Sequence, residues 1–597
     1  MNRVAMVTAV PTSSGEPISQ SMLVSDINRD YPQCRRVFES YGLAGCGGEL
    51  GPPEPLFIFA AAHRVPLREL VDELNRAARG EWTEASGKRT AEHQAVADAR
   101  EQFDSENLYK RFVFGALFVA VTAGFGLGVV NLTRIALAQS YYEISGVLKQ
   151  VHGHAQIFGW IGLFIMGVAF HAVPRMKMQV LRPIRAAKAS FWLMFFGVLL
   201  RVVAQPFGAT AVGRFAVLGS GLMEFAAVGL FAWLLARAIR GSNQKGSPRI
   251  PRGEFHEKYL WASVGWFVVL AAWNLWIVGQ MFRHRTVGVP ALADALWIHV
   301  AFFGFIANMI FGFSVRVLPH FLGLRQPRVL PANIAFWLWN GAIFLRYPVE
   351  RLAWAASTLE AVAIVLFVWA LGIFARRRTR IDILGVDNSF AWFIKLGYGW
   401  LLMVALIPFH ADVFRLSASA RHTMAIGFIT PLIFGVAYRV LPIFNGVNLW
   451  SNRLMRASFW AWAAGSTLAF AMAFNRVFET MWSYAWSGIA GWLVFMALVM
   501  FAVNIGMTLR SKTEPFTRDS VVTPTTRVAE LLEVYPAMRP VLIHGGLSGL
   551  ATMRHHPPRF VTIEFAARRH NLDPRPLVRL LNDEIKRQGN STGNRHA

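Results

Sequence analysis

The sequence predicts an all-α fold, a twelve-helix transmembrane bundle with a threefold four-helix pseudo-repeat plus two small cytoplasmic helical domains. Three observations carry that prediction. The 597 residues are 54% hydrophobic, with 47 Phe and 21 Trp, a composition too apolar for a large soluble chain and expected of one that spans lipid. Between about residues 111 and 507 the apolar residues fall into twelve runs, each roughly 17 to 27 residues long, enough for an α-helix to cross ~30 Å of hydrocarbon. Backbone groups in lipid must be satisfied within the segment, so these runs are helices. The third observation is internal repetition, inside the membrane part and outside it.

The formal net charge is +25. Alternate loops carry it, as in RMKMQVLRPIRAAK after the second run, RAIRGSNQKGSPRIPRGEFHEK after the fourth and RRRTR after the eighth. Such alternation is the positive-inside pattern, which places both termini in the cytoplasm. Basicity set by topology gives no reason to expect a nucleic-acid partner. The two cysteines, Cys34 and Cys46, both precede the first run, which argues against a disulfide framework or a cysteine-ligated cluster. Residues 1 to 30 are polar, so insertion is expected to rely on the first membrane helix rather than on a signal peptide.

Inside the membrane part, three stretches align without gaps: HAQIFGWIGLFIMGVAFHAVP from His154, HVAFFGFIANMIFGFSVRVLP from His299 and HTMAIGFITPLIFGVAYRVLP from His422. Each histidine is followed by Gly at +5 (Gly159, Gly304, Gly427), Gly at +13 (Gly167, Gly312, Gly435) and Pro at +20 (Pro174, Pro319, Pro442). A Phe-Trp pair follows at +37 and +38 in all three copies. The histidines open helices two, six and ten, so the membrane part reads as three units of four helices arranged in a ring, with the histidines at one depth near the outer face.

Outside the membrane part, YPQCRRVFESYGLAG (31 to 45) matches YPAMRPVLIHGGLSG (535 to 549), and HRVPLRELVDELN (63 to 75) matches HNLDPRPLVRLLN (570 to 582). The resulting division is a disordered N-terminus (1–22), a small helical domain (23–80), a charged linker (81–108), the membrane domain (109–510), a linker (511–522), a second small helical domain (523–588) and a disordered tail (589–597). The small domains are candidates for docking a cytoplasmic protein.

Ionisable groups inside membrane helices are functional candidates because burying them is expensive. Imidazole ligates haem iron and transition metals, so His154, His299 and His422 are candidate haem or metal ligands. His152 is a further candidate; it sits ~200° around the helix from His154, so the two cannot serve one metal from one face. Each histidine can equally cap its helix or hydrogen-bond a neighbouring carbonyl. The small surfaces at +5 and +13 favour close approach of a helix or a macrocycle. Arg201 and Arg346 both lie ten residues after the Phe of the Phe-Trp pair, where the third copy has Ala469, and Glu224 and Glu360 lie in helices four and eight. These charges either pair with one another or serve as haem-propionate partners and proton donors. At +17 stand His171, Arg316 and Arg439, about 25 Å of helix from the histidine layer, with snorkelling to lipid phosphates expected of the arginines. His410, just outside helix nine, either joins the outer histidine layer or snorkels to the interface.

The plan of four-helix units with histidines on helices two, six and ten resembles haem-copper oxidase subunit I and its nitric oxide reductase relatives. That resemblance implies haem ligation by His154 and His422 and a metal-site role for His299. Helix seven, PANIAFWLWNGAIFLRYP, lacks the His-His pair of the copper site, and helix ten carries one histidine where the superfamily has two. The RHTMAIGF…GVAYRVLP stretch resembles the NnrS family, twelve-helix haem- and copper-containing membrane proteins linked to nitric oxide stress. The flanking domains resemble the small helical domain of iron–sulfur-cluster repair and hybrid-cluster-associated proteins, but GLAGCGG keeps only Cys46 of that domain's cysteine pair and GLSGLATMRHH keeps neither. Together the resemblances imply haem of b type, with copper as a further metal, and a role in the nitric oxide or nitrosative stress response, the small ligand being nitric oxide or oxygen. An oxidoreductase subunit that reduces either gas, and a haem-free transporter or membrane scaffold, are the alternatives.

Overall fold

The computed structural model describes the chain apart from residues 1–16, 41–53, 64, 66, 83–106, 177–180, 241–254, 347–351, 377–386, 407–420, 446, 475–480, 512–515, 518–519, 548–560, 571 and 594–597. Cys46 and His410 therefore lie outside the described residues. Helices make up the described structure; no strand longer than an isolated bridge occurs among these residues.

The N-terminal module comprises α1 (Val24–Asp30), α2 (Arg35–Ser40), α3 (Leu56–His63) and α4 (Leu67–Ala78). In the membrane part the helices are α5 (Asn107–Ala138), α6 (Gly146–Met176), α7 (Ile184–Phe207), α8 (Ala211–Arg240), α9 (Glu257–His284), α10 (Ala291–Leu322), α11 (Val329–Leu345), α12 (Ala353–Leu371), α13 (Phe390–Leu406), α14 (Thr423–Asn445), α15 (Asn452–Phe474) and α16 (Met481–Arg510). The C-terminal module holds α17 (Val528–Val534), α18 (Met538–His544), α19 (Ile563–Arg569) and α20 (Pro574–Gly593). Nine of the described membrane-part helices are long and apolar enough to cross a bilayer, and α11 and α13 are shorter apolar helices. The chain is a multi-pass membrane protein.

Burial separates the helices into a centre and a wall. In the most apolar stretches of α6, α10 and α14, 94%, 83% and 78% of the residues are buried, against 39% in α7 and α8. The wall closes through α7 on α8, α11 on α12 and α15 on α16, joined by α8 on α9, α12 on α13 and α16 on α5. The three histidine-bearing helices thus occupy the interior.

Glycine spacing explains how the interior helices approach the wall. A Cβ at Gly159 would fall 2.4 Å from Val119 Cγ1, one at Gly304 2.8 Å from the Trp266 ring, and one at Gly427 2.8 Å from the Trp400 ring. The +13 glycines do the same lower down, Gly167 against Phe112, Gly312 against Leu260 and Gly435 against Ile394. The glycines therefore seat α6, α10 and α14 against α5, α9 and α13; of the two roles expected for them, close helix contact is the one observed. The Phe-Trp pair divides between environments. Phe191 and Phe336 are buried, whereas Trp192, Trp337 and Trp460 are 45%, 70% and 65% exposed, facing outward as lipid-contacting aromatics do.

The two outer modules share their construction. Tyr31 and Tyr535, which end α1 and α17, have nearly the same backbone (φ −133, ψ 75 and φ −128, ψ 77). Asn75 clamps Ile18 through N–H to Oδ1 and Nδ2–H to carbonyl bonds, both 2.7 Å. Asn582 clamps Val522 in the same two ways at 2.8 Å. Ile18, expected in the disordered N-terminus, is instead 2% exposed in the first module's core, because this clamp fixes it. Cys34 is fully buried in that core and donates its thiol to the Leu74 carbonyl at 3.4 Å. Its counterpart in the aligned copy is Met538, also fully buried, so Cys34 occupies an apolar core position.

Candidate functional site

Directly after each repeat histidine the helix widens into a π-helical segment: Ala155–Gly162 after His154, Val300–Ile306 after His299 and Thr423–Ile429 after His422. A fourth, Ala120–Gly124, interrupts α5. Such turns disrupt the regular i to i−4 ladder, change which face the preceding side chains present, and gather at functional sites.

The π segment of α5 meets His152. Its Nδ1 lies 2.9 Å from the Gly124 carbonyl, which sets Nδ1 as the protonated nitrogen; among the described residues no hydrogen bond is formed to Nε2. Gly128, one turn further along α5, lies under the ring, where a Cβ would come within 2.8 Å of Cε1. His422 is near enough to His152 for their charges to interact. His422 is on the exposed side of the α14 N-terminus.

His154 faces elsewhere. Its Nε2 lies 2.7 Å from Glu224 Oε1, and Asn274 Nδ2 donates to Glu224 Oε2 at 2.7 Å. The imidazole is stacked over Phe158 and Trp297, with ring centroids 5.1 and 5.7 Å away. His154, Glu224 and Asn274 are 5%, 0% and 2% exposed, so helices α6, α8 and α9 are tied through one buried polar chain. The same helix therefore presents His152 toward α5 and His154 toward α8, as their angular separation requires.

The second unit repeats the histidine–carboxylate pair with a different partner. His299 Nε2 lies 3.1 Å from Glu360 Oε1, and Arg346 Nη2 donates to Glu360 Oε2 at 2.9 Å and to Ser357 Oγ at 2.8 Å. The His299–Glu360 contact is an ion-pair distance without hydrogen-bond geometry: His299 Nδ1 and Nε2, Glu360 Oε1 and Arg346 Nε are buried and make no hydrogen bond among the described residues. Arg201, the counterpart of Arg346, donates Nε–H to Gln205 at 2.8 Å and touches the Met281 sulfur, while its Nη1 is buried with no hydrogen-bond partner. Glu224 is its electrostatic neighbour rather than its hydrogen-bond partner. Arg346 and Glu360 thus pair directly and Arg201 and Glu224 do not.

Several groups in these networks carry no repeat signal. Asn274 is a polar residue in an otherwise apolar run, and Asp294, 3.7 Å from Arg421, lies five residues before His299. Gln150 takes the Val289 N–H at 2.9 Å and donates to its carbonyl at 2.7 Å, while Gln205 reaches Gln150 at 3.3 Å. Asn308 and Asn340 exchange two 3.1 Å bonds beside the α10 π segment. Their only sequence signal is polarity inside an apolar run. Among the described residues, no three His, Cys, Asp or Glu side chains converge as a metal-ligand group.

The +17 residues lie at the other end. The His171 ring packs against Phe444 and Tyr109 at 3.9 and 4.7 Å, and Arg439 lies 5.7 and 5.8 Å from the Phe321 and Phe390 rings. Arg439 is half-buried and lines a cavity, whereas Arg316 is exposed.

No protein-family model and no curated protein matches the sequence. Among solved structures, the chain is similar to a haem-copper terminal oxidase determined as a dimer by cryo-electron microscopy, with a TM-score of 0.55 and 12% identity over 82% of this chain and 99% of that one. At that identity the likeness is one of fold, and it establishes that this chain has a haem-copper oxidase-like membrane fold.

Proposed function

We propose that the chain is a haem-binding membrane protein of the nitric oxide response, with His152 and His422 as the residues that would hold the haem iron. The observation that carries this reading is the Nδ1 to Gly124 carbonyl contact of 2.9 Å. A histidine ligand needs its second nitrogen held so that the first points at the metal, and His152 has that arrangement beside His422. His154, favoured by repeat register, has its Nε2 occupied by Glu224, and in this reading it orients the network around the site. Haem held by these histidines would supply a redox-active iron, which takes nitric oxide or oxygen only if one imidazole gives way. Arg201, whose Nη1 is open, is the propionate partner, with Arg346 held by Glu360 in the second unit. Glu224 and Glu360 are the carboxylates placed to hold or pass a proton.

In the same reading the helices α5 to α16 are twelve crossings in three units of four. The packing of α7 on α8, α11 on α12 and α15 on α16 supports that symmetry, as do the π segments that follow all three histidines. Both termini lie in the cytoplasm of a bacterial inner-membrane protein, where the outer modules dock a partner. The nitric oxide role rests on the likeness of the His422 stretch to the NnrS family.

A second reading, an oxidoreductase that reduces nitric oxide or oxygen at a second metal such as copper, is favoured by His299. This ring is 2% exposed, has an open Nδ1 and lies beside Glu360.

Reduced-minus-oxidised visible spectra of the detergent-purified protein test both. Loss of the Soret band in His152→Ala and His422→Ala, with retention in His154→Ala, is the expected result; copper that disappears in His299→Ala supports the second reading. Loss in His154→Ala with retention in His152→Ala overturns the ligand assignment. A folded, colourless wild type that takes up no added haem overturns haem binding and leaves the transporter or scaffold.

A further inference from the structure

A cavity of about 1300 Å³ runs along the interior helices, beginning around Phe164, Ile306 and Leu432 and continuing past Pro319 and Pro442. It starts where the π segments end and occupies the half of α6, α10 and α14 opposite the histidines, and so is separate from the proposed haem site. Ile165, Val168, Ile310, Phe313, Ile433 and Val436 make its walls apolar. The C-terminal module borders its mouth through Val521, Thr525, Glu530 and Phe565.

The charges around the cavity are unbalanced. Each acid already has a cation: Asp387 lies 3.5 Å from Arg456, Glu564 2.9 Å from Arg568, and Glu530 against Arg527. Arg439 has none. Its Nε is buried without a hydrogen bond, no ion pair forms to it among the described residues, and its guanidinium lies between two phenylalanine rings. Arg439 is half-buried with its Nε fully enclosed, and a cation set among apolar membrane residues without a counter-charge is costly and marks a place where an anion belongs. Arg175 and His320 add positive or proton-donating character nearby.

We propose that this cavity binds a lipid-derived anion, with an acyl chain between α6, α10 and α14 and its carboxylate or phosphate on Arg439. The volume exceeds the ~300–1000 Å³ of sites for compact ligands, which suits a long chain. Basic pockets between membrane helices are known places for anionic head groups. A free inorganic anion would share the head-group chemistry and would leave the apolar walls unused.

The test uses the full chain in nanodiscs of zwitterionic lipid, with dansyl-undecanoate as the probe and empty discs as the blank. Saturable binding is expected, displaced by oleate and by phosphatidic acid and not by the same concentration of inorganic phosphate. Arg439→Gln is expected to weaken binding at least ~10-fold and Arg439→Lys to keep most of it. Val436→Trp, which fills the cavity and leaves the arginine in place, is expected to abolish it; it also decides the matter should Arg439→Gln misfold. Unchanged binding in both Arg439→Gln and Val436→Trp overturns the proposal, as does displacement by inorganic phosphate alone, which would indicate a small-anion site. Probe fluorescence does not depend on haem, so this result and the spectral test stand or fall separately.

Discussion

Replacing Glu224 by alanine should unfasten the α6, α8 and α9 junction. The carboxylate is fully buried and takes two bonds of 2.7 Å, one with His154 Nε2 and one from Asn274 Nδ2. Alanine leaves both partner atoms buried and unpaired, at about 1–3 kcal/mol each, so the loss is about 2–6 kcal/mol. Glutamine is the informative control. Its amide oxygen can accept from Asn274 and its N–H can donate to a neutral His154, so Glu224→Gln should cost less than about 1.5 kcal/mol. Unfolding free energies from SDS titration, followed by tryptophan fluorescence, separate the two variants. An alanine variant within about 0.5 kcal/mol of wild type would refute the reasoning, because it would mean that water or rearrangement replaces both bonds.

Arg346→Ala should cost about 3–5 kcal/mol by leaving the Glu360 carboxylate buried without its cation, and adding Glu360→Gln should recover most of that in the same titration. Gly159→Ala places a Cβ 2.4 Å from Val119 Cγ1 and should cost about 1–3 kcal/mol through overpacking, with Val119→Ala restoring stability; a costless single variant would contradict the close contact of α6 and α5. The Cys34 thiol is pushed up to about 12 by burial, from an ordinary value of 9.0. Thiolate is the reactive form, so maleimide should leave Cys34 unmodified at pH 7.5 in the folded protein and label it on unfolding, as mass spectrometry of the digested peptide would show. Because the raised value favours the neutral thiol in the fold, that part of the first module's stability is complete below pH 9.0 and declines as pH rises toward 12. A module whose melting is flat from pH 8 to 11 would contradict this.

Much of the membrane architecture was legible because hydrocarbon leaves the chain few choices. Apolar runs of bilayer length had to be helices, and glycines at +5 and +13 of the three aligned copies marked the faces where helices come closest. The same Tyr-Pro turn and terminal Asn recur in both outer helical segments, and they take the same local backbone and clamp. Intramembrane polarity correctly singled out Glu224, Glu360, Arg201 and Arg346 as buried groups. Their partners were another matter. Glu224 is seventy residues from His154 and fifty from Asn274, and nothing in either segment's own pattern specifies the meeting. The Arg439 cavity likewise forms where α6, α10 and α14 meet the ends of α13 and α15 and a module from the far end of the chain. His152 and His154 show the division most clearly. The sequence alone determines that they point to different sides of one helix, because each residue advances it ~100°. Only tertiary packing decides which side holds a carboxylate and which holds the Gly124 carbonyl and His422, since a side chain's chemistry depends on what the neighbouring helices bring to it.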